Sequence, residues 1–181
     1  MNKGVFNFGI ILLCIFSLSC CSDRIRLGFE VSRFMGTTVI IPEDLVKVDS
    51  CGLKNAGEIT GSPLQVIYFA PEECSICAIK NLYRYLPVFD LAKELGSFNT
   101  AIILSPPKID KELVLYAAEK SGFKYPIYID TSAAIPGQKV IPEDERLHSF
   151  LLDTKGHPIC IGNPTSNENI YKVFLSALNS L

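Results

Sequence analysis

The stretch Leu64-Gln65-Val66-Ile67-Tyr68-Phe69-Ala70 limits the fold of this chain more than any other. It follows Gly61-Ser62-Pro63, is apolar almost throughout, and has the length of a strand buried on both faces. Beyond Pro71, Glu72 and Glu73 the period changes. From Ser75 to roughly Gly96, residues Ile76, Ile79, Leu82, Tyr83 and Leu86 recur at spacings of three and four, which predicts a helix. Pro87 should kink or divide it, because proline removes a helical N–H and its ring crowds the preceding turn. A central strand feeding directly into a helix points to a layered α/β domain.

The rest of the chain continues the alternation. Ala101–Leu104 reads as a second buried strand, ended by Ser105-Pro106-Pro107, and Ile109 to Lys120 is amphipathic. Pro126–Asp130 reads as a third strand, and Thr131 to Leu147, with Pro136-Gly137 and Pro142, reads as a loop. Phe150–Asp153 and Pro158–Ile161 flank Thr154-Lys155-Gly156 in a hairpin pattern, and Ile170, Tyr171, Val173, Phe174, Ala177, Leu178 and Leu181 line one face of a closing helix. Upstream, Thr38–Ile41 is a β-branched run stopped by Pro42, and Leu45–Val48 is a second short extended piece. Strands separated by helices pair in parallel, whereas a hairpin pairs antiparallel. The expectation is an α/β fold with a mixed central sheet flanked by helices, as one domain over residues 37–181.

Composition narrows the partners. The formal charge is -2 and no basic run is present, which excludes a nucleic-acid surface of the usual kind. The N-terminus has Lys3, then an apolar run from Val5 to Leu18, then Ser19-Cys20-Cys21-Ser22-Asp23. That run is short for a membrane span and fits the apolar part of an export signal. Small residues meeting a cysteine at its end resemble a bacterial lipoprotein signal. The resemblance implies a signal peptide over 1–21, a lipid on Cys21 (or Cys20), a tether over 22–36, and a place in the bacterial cell envelope facing the periplasm or the exterior.

An exported chain meets an oxidising compartment, where cysteines persist as disulfides. Outside the signal, Cys51, Cys74, Cys77 and Cys160 remain, which allows three pairings, and only Cys74 with Cys77 is close enough in sequence to be geometrically natural. The pair stands where strand gives way to helix. A thiolate there meets unpaired helix N–H groups, and a spacing of three puts both sulfurs on one helical face. Two cysteines with only His148 and His157 as further nitrogen ligands fall short of a zinc pattern, so neither metal nor cofactor is expected. Cys160 reads as a small sheet residue, and Asp130 and Asp153 as turn formers.

The strand, Phe69-Ala70, the acidic loop, Cys74-Ser75-Ile76-Cys77 and the helix resemble the active-site turn of the thioredoxin family. Pro126–Asp130 and the Phe150-Leu151-Leu152-Asp153-Thr154-Lys155-Gly156 hairpin resemble later strands of its exported thiol–disulfide reductases and redoxins. The resemblance implies Cys74 as attacking thiol, Cys77 as resolving thiol, and protein thiols or disulfides plus an electron donor as partners. It also marks divergence. Glu73 stands where the family has Trp, and Arg146-Leu147-His148-Ser149 replaces the segment that holds its cis-proline, which brings Glu72, Glu73 and His148 forward as neighbours of the site. The expected activity is disulfide reduction, and the alternative is a binding lipoprotein with a structural disulfide.

Overall fold

The computed structural model describes residues 23–49, 52–57, 59–73, 75–106 and 111–181. The chain divides into a leading unit, Met1–Arg33, and a main unit, Phe34–Leu181. The stretch read as a tether is helical over 23–35, here α1, with Asp23 at its described start and Gly36 just past its end, each favouring that terminus.

The main unit is built on a seven-stranded sheet in the order β2-β1-β5-β4-β3-β6-β7. Its strands are β1 (Val46–Asp49), β2 (Gly52–Asn55), β3 (Leu64–Phe69), β4 (Asn99–Leu104), β5 (Ile127–Ile129), β6 (Ser149–Leu152) and β7 (Pro158–Ile161). Between and after them lie α2 (Ser75–Lys80), α3 (Leu86–Leu95), α4 (Lys111–Ser121), α5 (Ala134–Gly137) and α6 (Glu168–Leu178). β3, β4 and β5 run parallel, as helical crossovers demand, and β6 joins β3 antiparallel with Ile67 opposite Ser149. β3 is buried along nearly its whole length, which explains its lack of polar alternation.

The sheet separates two apolar layers. On one face Ile67, Ile79, Leu82, Val88, Ile102, Leu104 and Phe174 pack together; on the other, Phe34, Leu45, Val66, Tyr68, Ile103, Ile135 and Phe150 do so. Phe174 is fully buried and meets Phe98 edge to face at 4.9 Å.

Three sequence expectations change. Residues 131–147, read as a loop, hold α5 and a 3-10 turn, Glu145–Leu147. Thr38–Ile41 forms no strand, because its backbone bonds go elsewhere: the Val39 N–H donates to the Gly156 carbonyl (2.8 Å), and the Ile40 N–H and C=O are both taken by the Gln138 side chain (2.9 and 2.7 Å). The helix after β3 also divides before Pro87. It breaks at Asn81 and a 3-10 turn, Leu82–Tyr85, and Pro87 then opens α3, where its missing N–H costs nothing.

Candidate active site

The site is assembled at the C-terminal end of β3, where the chain turns into α2. The Glu73 N–H donates to the Ala70 carbonyl (3.0 Å), and the Glu73 carboxylate folds back to accept from the Ala70 N–H (2.8 Å), so the loop is tied to itself from both directions. Cys74 lies outside the described residues, as do Cys20, Cys21 and Cys51. Cys77 is in α2 with its side chain exposed, and the Asn81 amide donates to its carbonyl at 2.8 Å, holding the end of the short helix. It opens on a cleft of about 390 Å³ shared with Phe69, Glu73, Arg84, Tyr85 and Glu145. Cys77 is therefore reachable from solvent, and depth in the helix does not shield it.

Glu73 and His148 meet. His148 is only 6% exposed, its Nδ1 lies 3.2 Å from Glu73 Oε1, and its Nε2 lies 2.8 Å from the Pro142 carbonyl. A carbonyl oxygen only accepts, so Nε2 carries a hydrogen. A neutral imidazole protonated at Nε2 has a bare lone pair at Nδ1, and that lone pair would then face a carboxylate oxygen. The contact is favourable only with one proton between the two groups, either as imidazolium with carboxylate or as imidazole with carboxylic acid. Two of the sequence-predicted neighbours thus form a single proton-holding pair at the mouth of the cleft. Glu72, the third, is exposed on the loop. The backbone of His148 adds a rung to the sheet, its carbonyl accepting from the Tyr68 N–H at 2.8 Å.

Behind this pair lies a polar group made of Tyr68, Ser105 and Asp130. The Tyr68 ring meets His148 edge to face at 5.3 Å, on the side of the sheet that also holds Ser105 and Asp130. Burial raises the Tyr68 pKa; the neighbouring Ser105 hydroxyl works against this, and the charges of Asp130, Glu72 and Glu73 add to it. Tyr85, at the cleft wall, is likewise raised by burial and by Glu73. Both phenols stay neutral. Asp130 is a buried turn former: it accepts from Ser105, Ser132 and the Ala134 and Ile135 N–H groups, and so starts α5. Asn81 and Tyr85 were visible at four and eight residues beyond Cys77, one helical face; Glu145 gave no signal.

The remaining candidates lie apart from the cleft. Asp153 forms the hairpin turn by accepting from the Lys155 and His157 N–H groups, with His157 exposed beside it. Cys160 is a buried sheet residue with a free thiol, and burial pushes its pKa up. Among the described residues no group of three or more His, Cys, Asp or Glu side chains is placed to hold a metal ion.

No family model and no curated protein matches the sequence. Solved structures do. A protein from Aquifex aeolicus VF5, provisionally described as an electron transfer protein, is 16% identical, with 80% of this chain covering 97% of that one at a TM-score of 0.50. The thioredoxin domain of a thiol-disulfide oxidoreductase from Bacteroides vulgatus is 16% identical over 79% of this chain and 99% of its own, with a TM-score of 0.48. A mutant peroxiredoxin Q from Xanthomonas campestris is 17% identical over 80% and 99%, with a TM-score of 0.43. The first likeness, at so low an identity, speaks to fold alone. Together with parallel strands, a late hairpin and a closing helix in that order, it gives this chain a divergent thioredoxin-like fold.

Proposed function

We propose that this chain is an exported, lipid-anchored thiol–disulfide oxidoreductase that reduces protein disulfides through Cys74 and Cys77. The observation that carries the reading is the position of Cys77, solvent-exposed in the helix that starts directly beyond the central strand, in a cleft whose wall includes one end of a proton-holding pair. In the proposed cycle the Cys74 thiolate attacks a substrate disulfide, forming a mixed disulfide and expelling one substrate sulfur as thiolate, which takes up a proton. Cys77 then loses its proton and attacks the Cys74 sulfur, releasing the second substrate thiol and closing the Cys74–Cys77 disulfide. The substrate gains two electrons and two protons, and a dithiol donor restores the pair. Glu73 with His148 is suited to take the proton of one step and return it in another.

Direction follows from charge. Glu72 and Glu73 beside the cysteines oppose a strongly acidic thiol, and a less acidic thiol makes a better reductant than oxidant. The apolar run to Leu18 and Cys20-Cys21 support an export signal with a lipid on Cys21, or Cys20, and a domain facing the periplasm or the exterior.

The test is trapping. Cys77→Ser should accumulate mixed disulfides with partner proteins, whereas Cys74→Ser should capture none. Equal capture by both overturns the division of roles. No capture by either, with a wild-type disulfide that resists reductant in the native state, leaves a binding protein with a structural disulfide. For the anchor, mass analysis of the exported protein should find an acylated N-terminal cysteine at position 20 or 21; an unmodified N-terminus well downstream would remove it.

A further inference from the structure

Helix α1 carries an apolar face that lies open among the described residues. Ile25 is 73% exposed and Phe29 is 72% exposed, among the most exposed large apolar side chains of the described residues. They are one turn apart and so share a face, separated by about 40° around the helix axis. Leu27, on the opposite face, is half-buried. Arg33 and Arg26 lie about 40–60° beyond Phe29 on one side, and Arg24 lies about 100° from Ile25 on the other. All three arginines are exposed; Arg26 also pairs with Asp23 at 3.2 Å across the surface. An apolar ridge flanked by guanidinium groups is the pattern of a helix lying in a membrane interface, with its ridge among the upper acyl chains and its cations at the phosphates.

The apolar run Val5–Leu18 ends only a few residues before Ile25, so on the proposed membrane anchor, on which this inference rests, α1 is held at the membrane surface. We propose that the Ile25–Phe29 face of α1 docks on the surface of a bilayer containing anionic phospholipid, with Arg24 and Arg33 as headgroup contacts. Docking there gives the domain a fixed footing on the membrane in place of a free leash. The inference stands apart from the thiol chemistry and survives its failure.

The sequence contains no tryptophan, which makes a direct test available. Phe29→Trp in the full chain places a single reporter on the ridge, and Ile40→Trp, at a position 67% exposed in the main unit, serves as the comparison. Each is reconstituted into phosphatidylglycerol–phosphatidylcholine vesicles with and without lipids brominated high on the acyl chain. The ridge reporter should emit to the blue of the comparison reporter and be quenched by the brominated lipid, consistent with a depth of about 5–10 Å below the headgroups. Arg24→Glu with Arg33→Glu should reverse the shift and the quenching. Ile25→Trp should behave as Phe29→Trp does, which guards against a local disturbance at one position. Equal quenching of the two reporters, or none on the ridge, overturns the proposal. A blue-shifted ridge reporter that bromine does not quench overturns it too, since the ridge is then covered by protein, such as a second copy of the chain.

Discussion

Replacing Glu73 by Gln removes a charge and keeps the shape, and the geometry leaves the new amide no arrangement that satisfies both of its neighbours. In the native site one oxygen, Glu73 Oε1, accepts from the Ala70 N–H and also faces His148 Nδ1, while His148 Nε2–H is committed to the Pro142 carbonyl. A glutamine can put its oxygen there and satisfy Ala70, but that oxygen then faces the bare Nδ1. Turned over, its NH2 donates to Nδ1 and collides with the Ala70 N–H. One polar group is orphaned either way. At the partial burial of this pair the cost is about 1–3 kcal/mol, and His148→Ala, which strips partners from both Glu73 and Pro142, should cost about 3–5 kcal/mol. Urea unfolding of wild type and Glu73→Gln measures this, and an unchanged midpoint refutes the shared oxygen.

Other consequences are simpler. Burial raises the Cys160 thiol pKa, so an alkylating reagent should leave it unmodified in the native protein and label it after unfolding; native labelling as fast as at Cys77 would contradict its placement. Gly156 has φ +85°, and a Cβ there would stand 2.4 Å from the Val39 carbonyl oxygen, so Gly156→Ala should lower stability by at least about 1–2 kcal/mol in thermal or urea unfolding, and an unchanged midpoint would refute the turn. Phe174→Ala should cost about 3–5 kcal/mol, and Ile67→Asp in the central strand should abolish folding as read by circular dichroism; a stable, soluble Ile67→Asp protein would mean that the sheet is misplaced.

What the sequence made legible was whatever rests on periodicity and punctuation. The apolar run of β3 survives intact, and the hairpin turn sits on Asp153 and Gly156 as its residues suggest. Short edge pieces were less readable. β2, Gly-Leu-Lys-Asn, has no β-branched residue and is a strand only because β1 offers it a ladder, while the β-branched Thr38–Ile41 is not a strand because Gln138 and Gly156 take its backbone groups. The break at Asn81 lay hidden, since the apolar spacing runs straight through it. Glu73 and His148 could each be flagged as neighbours of the cysteines, yet a bond between residues 75 positions apart, with a proton fixed by the Pro142 carbonyl, depends on tertiary placement.

The central claim is that Cys74 and Cys77 form a working redox couple, and its equilibrium with a thiol buffer of known potential tests this directly. The full chain is equilibrated across a graded ratio of reduced to oxidised dithiol, quenched with acid, and the fraction of protein with both Cys74 and Cys77 alkylated is read by mass. The account predicts a single reversible two-electron transition, nearer the roughly −270 mV of thioredoxin than the roughly −120 mV of the strongest thiol oxidants. A pair that stays oxidised until the potential falls below about −300 mV, or that opens only when the domain unfolds, would contradict it.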